Sequence, residues 1–454
     1  MKTKLFLILM LSIIGGNIKN AKAQTWSSVG SGLNYSVNTF AIFNGNLYAG
    51  CDGIYKWDGS NWTGMNTGTS TFGGGTVYSL AVSNGGTLYC GGADFFVLTP
   101  DNNLYNYIGR WNGSQWTTVG SGTVNDGAGM GDYVVAMTSY NGQLYAGGDF
   151  GTAGGDPLNQ FEAYYIASFA GTSCCWSAVG SGMNERVREL IVDTINNELY
   201  AGGYFTTAGG ISANYIAKWN GASWSTLGTG TNGKVTALCM HNGELYAGGL
   251  FTTAGGSSAA NVAKWNGSSW SALGPGLDGQ VYDLVSYNGD LYAGGAGFTV
   301  GGNTQYIAKW NGTNWTALSS GVDNYVNKLT VFNNELYVGG GFLNAGGIPA
   351  NHVAKWYGTN GINETHSNYI IDISPNPSTG KFTVENKGEL NIYNLLGEKI
   401  FSQKLTLPKT EINLSSQPKG IYFVKLVTNP SAAVSINSNE GIGEKIYTGK
   451  IIIE

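Results

Sequence analysis

The chain is short of histidine, proline, cysteine and charge: three His, nine Pro and five Cys in 454 residues, of which 11% are charged. Each shortage excludes something. Three His, one of them His366 beyond the repeats described below, cannot supply the imidazole ligands of a copper or zinc centre. An odd cysteine count leaves at least one of Cys51, Cys90, Cys174, Cys175 and Cys239 unpaired. Cys90 and Cys239 sit in apolar strand patterns and read as small core residues. The neighbours Cys174 and Cys175 are either two thiols, the more common state, or a strained vicinal disulfide. The longest apolar run, Leu5 to Ile14, is too short to span a bilayer. Lys2 and Lys4 precede it and Ala21-Lys22-Ala23 follows, so residues 1–23 read as an export signal that is removed, leaving no transmembrane segment. Removal leaves 19 Lys+Arg against 28 Asp+Glu, a net charge of −9. Residues 24–360 carry only 10 basic groups against 19 acidic ones, which excludes nucleic acid as a partner because phosphate binding needs a basic stripe. P-loop, GxSxG and Asp-box patterns are also missing.

Glycine is what the chain has in excess, 72 residues, which argues against long helices. Much of it belongs to a repeat. LYAGG or a near variant starts at Leu47, Leu88, Leu144, Leu199, Leu245, Leu291 and Leu336, at steps of 41, 56, 55, 46, 46 and 45 residues. Around each copy four short strands can be read. In the fifth, VTALCM (strand a) meets an Asn242-Gly243 turn, LYAGG (strand b) and a Gly-rich connection. NVAKW (strand c), an Asn266-Gly267 turn and SWSALG (strand d) complete the unit. Asn-Gly pairs favour two-residue hairpins because both turn positions need positive φ. A period in the forties with four strands per unit predicts a β-propeller. Its hairpins form one uniform face, and the variable b–c and d–a connections form the other.

Strand d begins at Trp26, Trp62, Trp116, Trp176, Trp224, Trp270 and Trp315, whereas strands a to c run from after Trp26 to Trp356. The first strand d therefore has no a to c before it, and the last a to c has no d after it. Pairing the two predicts a seven-bladed ring, residues 24–360, closed by its N-terminal strand, with no open edge.

The pattern LYAGGxF, AGG, YIAKWNGxxW and LGxG resembles kelch-type propellers, and more closely the repeats of the fungal cortical polarity-marker family. That resemblance implies a surface-located interaction protein and carries over no catalytic residue. Blade 1 lacks the Gly-rich b–c connection, and blade 3 has SFAGTSCCW in place of KWNGxxW.

After a linker, 361–368, the composition shifts to Lys, Glu, Ile and Asn, and residues 369–454 read as short strands of a small β-sandwich. Pro375-Asn376-Pro377, Gly380, LNIYNLLGEKI with Gly397, and INLSSQPKGIYFVKL with Gly420 and Tyr422 resemble the C-terminal sorting domain, type A, of the bacterial type IX secretion system. The resemblance implies handling by that machinery and a final location outside the cell or on its outer surface.

For a ligand site, residues that break the repeat are the candidates, because repeated ones are explained by the scaffold. Blades 2 and 3 carry the long steps, and their loops 125–132 and 156–164 bring Asp126, Asp132, Tyr133, Asp156, Phe161 and Tyr164. Asp94 and Asp149 lie just past the Gly-Gly of strand b, near where Tyr204 stands in blade 4, and are expected near the mouth of the channel. The segments Asp101 to Asn103 and Asn125 to Asp132 can offer oxygen to Ca²⁺ but lack its ordered loop spacing, so turn chemistry is the better reading and no cofactor is expected. The 13 Trp and 27 Tyr sit mostly at repeat-fixed positions and are assigned to interblade packing. Three readings stay open: a binding module for an extracellular glycan or protein, which is favoured; a polysaccharide lyase or glycosidase with paired carboxylates; and an inert surface spacer.

Overall fold

The computed structural model describes residues 25–65, 72–73, 75–98, 104–117, 119, 130, 132–154, 161–171, 176–357, 373–375, 377–385, 387–394, 399–407, 409–428 and 445–453. Among them every regular element is a β-strand. The chain forms two compact units, one through Thr359 and one from Asn360.

The first unit is a ring of antiparallel sheets, seven among the described residues. Each runs a-b-c-d from the centre outward, as in blade 4 with Val187–Asp193, Glu198–Gly203, Ile216–Trp219 and Trp224–Thr226. Neighbouring inner strands touch all the way round, and that of the seventh sheet (Val326–Phe332) touches that of the first (Thr39–Phe43). The outermost strand of the seventh sheet is Thr25–Ser28, antiparallel to Val353–Tyr357 with Trp26 opposite Trp356. The first and last strands of the ring are therefore held in one sheet, and the outer side of Val353–Tyr357 has a partner.

Two side-chain devices join blade to blade, and both explain the repeat. The first glycine of each Gly-Gly faces a valine of the next blade. A Cβ on Gly202 would sit 2.7 Å from Val235 Cγ1, and one on Gly339 would sit 2.6 Å from Val37 Cγ1, across the closure. Only glycine leaves room for that approach. The second device is tryptophan. Trp224 packs on Trp219 with centroids 5.3 Å apart, and its Nε1 donates to the Val179 carbonyl of the preceding blade at 3.0 Å. Trp270 donates likewise to Leu227 at 2.8 Å, and Trp26 to Leu318 at 3.0 Å. These indoles are buried, so their aromatic surface is spent on packing.

Cys51, Cys90 and Cys239 are buried free thiols, and burial raises the Cys51 and Cys239 thiols to about 11 and about 12. Cys174 and Cys175 lie outside the described residues.

The second unit is a β-sandwich. One sheet holds Ile373–Ser374, Lys381–Glu385 and Lys409–Asn413; the other holds Lys399–Leu405, Gly388–Tyr393, Gly420–Thr428 and Lys445–Ile453. Alternating residues of both sheets, among them Phe382, Val384, Leu390, Ile392, Val424 and Ile451, form its core. Tyr422 is buried and donates its hydroxyl to the Pro418 carbonyl at 2.6 Å. Gly380 has φ 91°, and a Cβ there would press on the Ser415 backbone. Pro375 follows a cis peptide bond, Pro377 is two residues further along the same bend, and Asn376 and Gly397 are outside the described residues.

Candidate functional site: the loop-face mouth of the channel

The innermost strands build the site by one repeated irregularity. At or near the start of each stands a buried valine: Val37, Val77, Val134, Val187, Val235, Val281 or Val326. In blades 2 to 7 the register against strand b then slips by one residue. In blade 4, for instance, Val187 faces Gly203 and Glu189 faces Gly202, so Arg188 is the extra residue of a bulge. A bulge bends the strand and re-aims the extra side chain. The seven residues that follow the valines are Asn38, Tyr78, Val135, Arg188, Thr236, Tyr282 and Asn327, and all seven line one cavity of about 400 Å³ at the variable-loop end of the channel. Tyr204, Gln280 and Tyr325 complete its wall.

Three of these side chains also tie blades together. Asn38 donates to Val77 O at 3.3 Å, Thr236 to Val281 O at 2.5 Å, and Asn327 to Val37 O at 3.2 Å and to Asn38 Oδ1 at 3.0 Å. Tyr325 does so too, its hydroxyl 3.1 Å from Ser36 Oγ of blade 1, whereas no such bond is made by Tyr78, Tyr282 or Arg188 among the described residues. The Nε of Arg188 is buried and, among the described residues, without a hydrogen-bond partner.

One residue above, before each valine, lies the rim, which includes Ser36, Tyr133, Arg186, Lys234 and Tyr325. Arg186 pairs with Asp149 of the neighbouring blade and lies over the Tyr204 ring, 5.4 Å from its centroid. Lys234 covers the same ring at 4.2 Å. Cation and ring attract through the ring quadrupole. One residue below lies a charged cluster. Lys328 of blade 7 reaches Asp283 of blade 6 at 3.0 Å and, across the channel, Glu189 of blade 4 at 3.3 Å. Asp283 also accepts from the Leu329 N–H at 2.7 Å. Burial holds the Glu189 and Asp283 carboxyls above the usual range, with Lys328 opposing that rise. Their mutual attraction raises the Lys328 amine against the effect of its own burial.

Where the basic residues stand separates scaffold from site. Of the 10 in residues 24–360, Lys56, Arg110, Lys218, Lys264, Lys309 and Lys355 occupy one repeated place in strand c. Four of these pair with the acid that opens strand b, at 2.6 to 3.0 Å. Lys328 closes the channel cluster. The remaining three, Arg186, Arg188 and Lys234, are all at the mouth, in blades 4 and 5.

A larger cavity of about 560 Å³ lies at the hairpin face between blades 5 and 6. Its lining is largely repeat material, including the Lys264–Glu244 pair, Trp310 and the turn at Asn311-Gly312. His241 there bonds Ser286 Oγ at 2.8 Å and Asn242 at 3.0 Å, and burial lowers its pKa.

The residues expected from the sequence fall in different places. Tyr204 lines the cavity and Asp149 meets it through Arg186. Tyr133 belongs to the rim and packs on Tyr107 at 5.8 Å, while Asp132 accepts from the Tyr133 N–H at 2.8 Å. Tyr164 is exposed, donates to Glu162, and presents its carbonyl to Met183 at 2.9 Å, as Asn214 does to Thr231 in blade 4. That backbone role is a scaffold task. Phe161 is described in its backbone only, opposite Ala153. Ala93, opposite Thr76, holds the place equivalent to Asp149, so Asp94 is one residue further along its strand. Asp126, Asp156 and the segment Asp101 to Asn103 weighed for Ca²⁺ lie outside the described residues. The expectations did not include Tyr78, Arg188, Tyr282 or Asn327. The sequence shows only part of this: aligned on the valine, the next position reads N, Y, V, R, T, Y, N, but the position before the valine (S, T, Y, R, K, Q, Y) and the one after (T, S, A, E, A, D, K) vary as well.

With this geometry in hand, known proteins can be set beside it. Residues 372–436 match the family described as Secretion system C-terminal sorting domain, and residues 171–335 match the Rax2 C-terminal beta propeller domain. No curated protein sequence matches the chain. Among solved structures, the chain is similar to the extracellular domain of B. thetaiotaomicron BT4673, described as a hybrid two component system. The identity is 12%, over 84% of this chain and 47% of that one, with TM-score 0.50. It is also similar to PorZ of Porphyromonas gingivalis, described as an essential bacterial surface component of the type-IX secretion system. There the identity is 16%, over 92% of this chain and 59% of that one, with TM-score 0.46. The chain thus spans about half the length of these two, 47% and 59%. At such identity the likeness concerns fold alone. The protein carries a β-propeller domain, part of which matches the Rax2 propeller domain. Its C-terminal unit is a type IX sorting domain, which places the protein at the cell surface or in the medium. Among the described residues no helix is long and apolar enough to cross a membrane.

Proposed function

We propose that the protein is an exported binding module that takes its ligand at the loop-face mouth of the propeller channel. Residues 1–23 and 369–454 serve export, 24–360 form the propeller, and 361–368 link it to the tail. The observation that supports this reading is the inner ring of positions after the valines. Its backbone repeats, its side chains do not, and all seven converge on one cavity. Scaffold needs explain identical residues; a set that differs from blade to blade in one concave place is how a ring of repeats makes a specific site. Tyr204, Tyr133 and the Asp149–Arg186 pair form the rim a ligand meets first. Glu189 and Asp283 bring two carboxyls into the channel, but both are bonded to Lys328 and Asp283 is 3% exposed, so the pair is occupied as structure rather than poised for hydrolysis.

A glycan and surface-extract array probed with the full chain tests the reading. Tyr282→Ala combined with Tyr204→Ala is expected to remove the captured ligand while melting with the wild type. Capture that survives the double change, or that is lost instead when the turn at Asn311-Gly312 is altered, places the site elsewhere. Export is tested separately by fusing residues 361–454 to a periplasmic reporter in a host with the type IX machinery. Surface or medium delivery is expected, and periplasmic retention contradicts it.

A further inference from the structure

Resting on that reading, we propose that the mouth selects an acidic sugar, a hexuronate unit of a polysaccharide, with its carboxylate on Arg188 and its ring against the tyrosines. Arg188 carries the argument. It is the extra residue of the blade 4 bulge and lines the cavity, and its Nε is buried and, among the described residues, without a hydrogen-bond partner. Its neighbour Arg186 has Asp149, but no ion pair within 4.0 Å joins Arg188 to an acid among the described residues. Glu189 follows it in sequence and feels its charge, yet the Glu189 carboxylate is bonded to Lys328. A guanidinium presents a planar fork of donors that matches a carboxylate bidentately, so a ligand of that shape completes what the fold leaves open.

The mouth favours an anion. Arg186, Arg188 and Lys234 gather there; Asp149 pairs with Arg186 and Glu185 adds its charge to that residue, while no acid pairs with Arg188 or Lys234 among the described residues. Tyr78 and Tyr282 supply aromatic rings of the kind on which a pyranose rests, Tyr204 holds the cations Arg186 and Lys234 beside them, and Gln280 and Asn327 supply amides for hydroxyls. A peptide would need a free strand edge or apolar anchor pockets. The mouth offers one aliphatic side chain, Val135, so a saccharide fits better than an acidic peptide.

The experiment is calorimetric titration of the full chain with oligogalacturonate, oligoglucuronate and oligomannuronate, their methyl esters, and polyglutamate. At least one uronate should bind, with its ester weaker by about tenfold or more, the loss expected for a charge-assisted hydrogen bond. Arg188→Gln should reproduce that loss with an unchanged melting curve, and Arg188→Lys should recover part of it. No binding of any uronate, equal binding of acid and ester, wild-type affinity in Arg188→Gln, or tighter binding of polyglutamate each overturns the acidic-sugar inference. If the ester binds as well as the acid and Tyr282→Ala removes both, the mouth remains the binding site and only its acid preference falls. If the uronate binds and neither Arg188→Gln nor Tyr282→Ala weakens it, both the inference and the mouth reading fall.

Discussion

Strand c and strand a of each blade share a sheet and a backbone plan, yet they differ in how their side chains vary. Along strand c the Lys-Trp pair recurs, and in blades 4 to 7 the structure gives it the same tasks, an ion pair to strand b and a ring contact to strand d. Along strand a the valine recurs, but the residue after it is amide, phenol, aliphatic, guanidinium or hydroxyl. Repetition marks what every blade needs to stand beside its neighbour. Variation at a fixed backbone place marks what the ring as a whole does.

The comparison can be broken most strongly at the closure. Deleting residues 24–32 leaves the Val353–Tyr357 strand without its partner and exposes its backbone groups. A loss on the order of 5 kcal/mol is expected, and a melting point lower by roughly 10 °C or more. Unchanged calorimetric melting would mean the N-terminal strand does not close the ring.

Next comes the channel cluster. Lys328→Met strands the Glu189 and Asp283 carboxyls in a buried place, at a cost of about 3–5 kcal/mol. The sign of its pH dependence is fixed. Both carboxyls already have folded pKa values above their ordinary range, so the folded state binds their protons more tightly than the unfolded one. Their contribution is therefore greatest below the unfolded carboxylate pKa and is lost as pH rises through the folded values. Without Lys328 those values rise further, so the variant should be closest to wild type in acid and furthest from it above neutrality. Melting curves from pH 4 to 8 check this, and a deficit that grows toward acid contradicts it.

A smaller effect is expected at the interblade glycines. Gly202→Ala places a methyl 2.7 Å from Val235 Cγ1, and overpacking of this kind costs about 1–3 kcal/mol. Val235→Ala in the same chain should restore part of the loss, as a double-mutant cycle by urea denaturation can show.

How much of this could be read in the sequence follows from the same contrast. LYAGG, the Asn-Gly turns and Trp26 were legible because each repeats for a local physical reason. The tail was legible for another: Gly380 and the GIYFVKL strand stand in a recognisable order. The mouth was not legible. Arg188 and Tyr282 are single residues inside apolar strands, and the bulge that turns them inward leaves no compositional mark. Reasoning from broken repeats led to loop lengths and acids, whereas the variation that lines the cavity is one residue deep in strand a. Tyr204, which lines the cavity, stood out in the sequence because it is at the end of a repeated motif, where a change is easy to see.

The least stability and the most function should be lost at the mouth itself. Replacing Tyr282 and Tyr204 by Ala, with the full chain as reference, should shift the unfolding free energy by roughly 0.5–1 kcal/mol or less per site, since neither ring belongs to a buried interblade cluster and Tyr204 loses only its partly exposed contact with Lys234. Array capture and melting measured on the same samples give the most direct test. Capture lost with melting preserved is the predicted result; capture preserved, or lost only in step with unfolding, would show that the varied ring of strand a is not the binding site.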